Sequence, residues 1–257
     1  MSPDPSIPRE PTLPEDLVTF RLGRRVLRRD VGRLCDVADG LLAGTEYLSS
    51  RRLEAFSGVA EGLCDDIVGE QEFEEALVWP VLERRAPDAL PYSSFRADRR
   101  TVRGAVDDAR RATRAVVADL RERPAALATA QDYRRVQAFA ESWRRLRERL
   151  ERFFEATEAR VAEIVTTRVP REEWADILEE VRRRLPDRRG AGARVMEVAT
   201  REELEQLSGQ LGSRPIAGWR NQGRRRRSEE TLAFGPGTAT PPRRHDESDD
   251  EPDARPG

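Results

Sequence analysis

Glu70 and Glu74 lie four residues apart, so on a helix both carboxylates face the same side. Two inward carboxylates at this spacing are half of what a helical bundle uses to hold a pair of metal ions. The other half is not supplied. The chain has a single histidine, His245, and it falls in a charged C-terminal stretch. Where the other helices could offer Asp, Glu or His toward the same centre, they carry Arg24, Arg99 and Arg149. A guanidinium keeps its proton and has no lone pair to give, so it repels a cation instead of ligating one. The expectation is that no metal is bound. The alternative is an atypical iron site using Glu70 and Glu74. No catalytic residues are expected either. The one histidine rules out Ser-His-Asp and Cys-His sets, and there is no phosphate-binding P-loop or dinucleotide fingerprint. An acid/base role for the two glutamates would need a substrate cavity that the arginines fill.

These residues sit in four long stretches with apolar positions at alternating three- and four-residue spacing, the signature of amphipathic helices. The seams run Leu17, Phe20, Arg24, Leu27, Val31, Leu34; then Leu53, Phe56, Ala60, Leu63, Ile67, Glu70, Glu74, Leu77, Val81. The third runs Phe95, Arg99, Val102, Val106, Ala109, Thr113, Val116, Leu120, and the fourth Val136, Phe139, Trp143, Leu146, Leu150, Phe153, with Arg149 beside it. A charge inside such a stripe is costly unless paired. The predicted fold is therefore all-α, an up-down-up-down four-helix bundle with one or two further C-terminal helices and disordered termini.

Composition sets the outer limits. The chain has 257 residues, of which 37% are hydrophobic and 37% charged, so only part of it can be compact core. Every basic side chain is arginine. A net charge of -2 gives no chain-wide case for nucleic-acid binding. No apolar run is long enough for a membrane helix, and the N-terminal MSPDPSIPREPTLPED lacks the apolar segment of a secretory signal, so a cytoplasmic location is expected. Cys35 and Cys64 fall in separate predicted helices and read as small buried hydrophobes.

Residues 1–14, with five prolines, read as a disordered leader. The helices are expected at about 15–42, 47–85 with a kink at Pro80, from Ser93 or Ser94 as N-cap to about 123, and at about 130–167. A fifth starts at Pro170 and packs Trp174, Ile177, Leu178, Val181 and Leu185 on the bundle, completing a unit over 15–190. Pro186 to Gly192 reads as a loop. A short helical appendix within 191–222 opens with the capping box Thr200/Glu203. Residues 223–257 read as a disordered charged tail, with the basic run Arg224, Arg225, Arg226 and Arg227 and an acidic stretch from Asp246 to Asp253. Trp219 is the one aromatic near the basic run, too little for a stacking nucleic-acid site, so nucleic acid is not expected as a partner. A protein partner is.

The chain resembles the hemerythrin-like (HHE cation-binding) domains over about residues 16–185. Glu74-Glu75-Ala76-Leu77-Val78-Trp79-Pro80 is similar to that family's E-E-x-x-L-F-P run. Val26 to Asp30 resembles its first helix, Phe154 to Val161 its fourth, and Pro170 to Trp174 the entry to the next. The resemblance implies a bundle that holds two irons through histidines and bridging carboxylates. Carried across, the first-helix histidine position holds Arg24, and the second-helix H-x-x-x-E holds Glu70 and Glu74. The third-helix histidine position holds Arg99. The fourth-helix histidine and the ligand four residues later hold Arg149 and Phe153. The expectation is thus a hemerythrin-like protein that has lost its diiron site and works as a structural, regulatory or protein-interaction module. The alternative is a metal- or oxygen-responsive protein with a carboxylate site. The inward charges are expected to form an Arg–Glu network in the old cavity. The competing arrangements are arginines that snorkel to water from the bundle ends and a cluster that holds a small anion.

Overall fold

The computed structural model describes residues 17–89, 91–122, 130–184, 191–212, 216, 218–219 and 228–235. All regular structure among them is helical: α1 Val18–Ala43, α2 Ser50–Phe73, a π-helical turn Glu74–Val78, α3 Trp79–Arg85, α4 Tyr92–Glu122, α5 Ala130–Arg168, α6 Arg171–Arg184, α7 Ala191–Val198 and α8 Arg201–Leu211. Residues 228–234 are also helical. No described helix is long and apolar enough to cross a membrane.

Local chemistry fixes several boundaries. α1 ends where Gly44 takes the left-handed conformation at φ 71° and its amide returns to the Gly40 and Leu41 carbonyls. Ser49 caps α2 by accepting the Arg52 amide at 3.3 Å. The expected capping box of α8 is present in both directions: Glu203 N–H donates to Thr200 Oγ1 at 3.2 Å, and Thr200 N–H donates to the Glu203 carboxylate at 2.8 Å. Other boundaries differ from the sequence reading. α4 starts at Tyr92, so Ser93 and Ser94 lie inside its first turn. The Pro91 carbonyl accepts the amides of Ser94 and Phe95 there. Pro170 stands just before α6 and accepts the Trp174 amide.

α1 packs on α2 and α5, and α4 packs on α2 and α5. The seams of α1, α4 and α5 meet in one core, with Leu34, Val106, Phe139, Trp143 and Leu146 fully enclosed. One pair of its buried polar groups is satisfied locally. Trp143 Nε1 donates to Thr113 Oγ1 at 3.1 Å, and that hydroxyl donates to the Ala109 carbonyl at 2.7 Å. Trp174 and Ile177 of α6 are buried in the same core, as expected. Leu185 lies outside the described residues. Cys35 and Cys64 are free and buried, and burial pushes their thiols up to about 12 and about 11.

The C-terminal part is more ordered than its composition suggests. α7, whose start falls in the expected 186–192 loop and which precedes the expected helix start at Thr200, is fixed by one buried arginine: Arg194 bridges Asp30 of α1, at 3.2 Å, and Asp66 of α2. Arg29 of α1 adds an ion pair to Glu197 at 2.7 Å. The 228–234 helix falls in the expected tail yet docks on the α1–α2 corner. Arg33 pairs with Glu230 at 2.8 Å and lies 4.0 Å over the Phe234 ring, while Arg52 donates to the Ala233 and Phe234 carbonyls, each at 3.1 Å. Trp219, considered above beside the basic run, is buried in a second apolar cluster with Val18, Leu22, Leu207, Leu211 and Ile216. It is therefore not available for stacking on a base. Residues 1–16, Arg224, Arg225, Arg226, Arg227 and His245 lie outside the described residues.

Gly192 presses against the Trp219 ring, and a Cβ there would overlap the indole. Gly192→Ala should therefore undock Trp219. By hydrogen exchange, amide protection should fall across α7 and α8 and stay unchanged in α4 and α5. Uniform loss of protection, or none, would contradict this packing.

Candidate functional site

The sealed centre of the core holds a charge. Arg24 of α1 is wholly buried, as is the Glu74 side chain to within 2%. Arg24 Nη2 donates to Glu74 Oε1 at 3.1 Å, and Nη1 donates to Thr157 Oγ1 of α5 at 2.8 Å. Thr157 in turn donates to the Phe153 carbonyl at 2.7 Å, so its hydroxyl is both acceptor and donor. Three rings wrap the guanidinium: Phe20 at 3.9 Å, Phe154 at 4.8 Å and Phe153 at 5.8 Å from their centroids. Aromatic faces carry negative charge density, so this cage offsets part of the lost hydration. Glu74 Oε2 accepts no hydrogen bond from the protein and Arg24 Nε donates none, and both atoms are buried.

Glu74 stands where the backbone changes register. It opens the π-helical turn, across which the Trp79 amide returns to the Glu74 carbonyl. A π turn inserts one residue and rotates everything after it. The apolar face therefore continues through Val78, Trp79 and Leu82, while Leu77 is only half-buried. Pro80, expected to kink the helix, falls in the first turn of α3, where its missing N–H is tolerated. The step before the turn also differs from the expected seam. Gln71 is buried and Glu70 is half-buried, so the face runs Ile67, Gln71, Glu74, Val78. Glu74 is the one fully inward carboxylate of the pair, and Glu70 lies against Gly23 of α1.

The other sequence-predicted positions divide. Phe153 joins the site as a wall of the Arg24 cage. Arg99 is buried, but it points to the junction of α2 and the π turn. There it donates to the Gln71 carbonyl at 2.6 Å and pairs with the exposed Glu75 at 3.0 Å. Arg149 is half-buried on α5. Of the expected three-arginine, two-glutamate network, Arg24–Glu74 forms a sealed pair and Arg99 lies at its edge. Arg24 does not snorkel. Thr157, Phe20 and Phe154 were not singled out from the sequence. Thr157 could have been found by carrying the fourth seam one step of four past Phe153.

The electrostatics follow from burial. Loss of water pushes the Glu74 carboxyl up. Arg24 opposes the shift, through its charge and its hydrogen bond, while the Glu70 charge adds to it, and the net direction is upward. A carboxyl raised in the folded state favours folding when protonated. Its contribution is therefore greatest below the ordinary glutamate value, near about 4.3, and declines as pH rises from there through the folded value.

Among the described residues no group of three or more His, Cys, Asp or Glu is placed to hold a metal ion. No protein-family model, curated protein or solved structure matches this chain.

Glu74→Ala strands a buried guanidinium and should cost about 3–5 kcal/mol in urea unfolding. Glu74→Gln keeps an acceptor for Arg24 and should cost less. It should also abolish the decline in stability, as pH rises above the ordinary glutamate value, that the wild-type carboxyl contributes. Equal losses for the two variants, with unchanged pH profiles, would contradict this assignment.

Proposed function

We propose that this chain is a hemerythrin-like four-helix-bundle protein in which an Arg–Glu ion pair stands where such bundles hold iron. We further propose that it serves as a non-catalytic structural or protein-interaction module. The observation that carries the reading is the sealed Arg24–Glu74 pair at 3.1 Å. α1, α2, α4 and α5, each packed on two of the others, make the contacts that an up-down-up-down bundle would make.

The donor set does not suit iron. Glu74 is its one sealed carboxylate, Glu70 is half-buried, and the nearest cationic group is a permanent guanidinium already bonded to Glu74. A metal cation at Glu74 would meet that charge at close range in a medium that screens it poorly. Acid/base chemistry is disfavoured for a related reason: Glu74 is buried to within 2% and bonded to Arg24, leaving it no face for a substrate. The extensive ion-paired layer on the outside of α1 favours a module that works through surfaces.

Elemental analysis of untagged protein, reloaded anaerobically with ferrous iron and desalted, tests this. The expected result is negligible iron and an unfolding midpoint unaffected by chelator. Stoichiometric iron that disappears in Glu74→Ala would replace this reading with a carboxylate metal site.

A further inference from the structure

α8 is attached to α1 in a different way from the helices of the main core. Its apolar contact is a separate cluster, to which α1 gives only Val18 and Leu22. Its polar contact is a charge clamp. Arg21 and Arg25 each hold one oxygen of Glu203, at 2.6 and 2.8 Å. Arg25 also donates to the Val198 carbonyl at 3.2 Å, and Thr19 donates to Gln210 at 3.2 Å. The α8 side of this contact is a simple pattern: Glu203, Leu207 and Leu211, every fourth residue on one helical face.

We propose that the α1 face made by Val18, Leu22, Arg21 and Arg25 is a docking site for an acidic amphipathic helix of a partner protein, and that α8 occupies it in cis. This inference rests on the interaction-module reading above and names the partner's chemistry. Three observations support it. The face has two apolar sockets, Val18 and Leu22, which Leu207, Leu211, Ile216 and Trp219 bury to 2% and 0% exposure, beside two cations. Apolar sockets have no use against a nucleic-acid backbone, which would be held by the arginines alone, so a helix of protein is the better fit. The clamp reads one carboxylate with two guanidinium groups, a charge-assisted arrangement that favours an acidic residue at that point of the ligand. The apolar cluster is small and distinct from the main core, so α8, together with Ile216 and Trp219 that share the cluster, can open without unfolding the main core. Glu203 is also held by its own capping box, so the cis ligand is a preformed helix, as an incoming one would need to be.

A tethered α8 competes at high effective concentration, so the face binds a partner weakly until α8 is displaced. The experiment uses the full chain carrying Leu207→Asp and Leu211→Asp, and a fluorescein-labelled peptide with the sequence of residues 197–212. The opened variant should bind this peptide roughly tenfold or more tighter than wild type does. Adding Arg21→Glu and Arg25→Glu should remove the binding, and a scrambled peptide should not bind. Glu203→Arg, which breaks the clamp and leaves the leucines in place, should open the site to a smaller extent and guards against misfolding of the first variant. The proposal is overturned if both opened variants, with unfolding midpoints of the main core unchanged, ignore the peptide. It is also overturned if they bind an oligonucleotide as well as the peptide, or if they form a dimer that the peptide cannot dissociate. Failure here with no iron uptake would leave the metal-free reading standing. Iron uptake with intact peptide binding would remove that reading alone.

Discussion

A guanidinium sealed from water must find its partners inside the protein, and at Arg24 that requirement organises the centre of the fold. The charge cannot be relieved by deprotonation. It therefore needs a carboxylate, further acceptors and polarisable walls. They come from three elements: Glu74 from the π-helical turn, Thr157, Phe153 and Phe154 from α5, and Phe20 from α1 itself. Two of the helices that pack on α1 are thus tied to one side chain. The arrangement stores no large stability of its own, since desolvation takes back most of what a buried ion pair gains. Its consequence is specificity of register, because a shift of any partner strands a charge.

α1 carries a second set of arginines on its outer face. Arg21, Arg25, Arg29 and Arg33 recur every fourth residue, and Glu203, Glu197 and Glu230 answer them from the C-terminal part of the chain. The helix is therefore charged on both sides, with one buried cation inward and a ladder outward. This explains how a chain with 37% charged residues still builds an enclosed core. Much of its charge is spent in pairs between layers, where partial burial makes each worth more than a surface bridge.

The long elements were legible in the sequence because their seams are strongly periodic and because Gly44 and the Thr200/Glu203 box mark ends by known backbone chemistry. The site was legible in part. Arg24 and Glu74 stand out as charges in apolar stripes. The pairing and the exclusion of Glu70 were not visible, since a π turn leaves no signature in the spacing that precedes it. Val78 replaces Leu77 on the inner face for that reason, while Gln71 replaces Glu70 one step earlier, within α2. α7 and the 228–234 helix were missed on different grounds. Both are short and lie among Gly, Pro and Arg, and what holds them is tertiary: Arg194 on Asp30 and Asp66, and Arg33 and Arg52 on the 228–234 helix. Local propensity carries little information about such docking.

The central claim is that Arg24 and Glu74 act as one unit at the middle of the molecule. A double-mutant cycle tests it most directly, using Arg24→Met, Glu74→Leu and the two together, each measured by urea unfolding with attention to the slope as well as the midpoint. The account predicts large losses for each single change and a double variant close to wild type, because the apolar pair strands no charge. Additive losses, with the double variant as unstable as the sum of the singles, would contradict it.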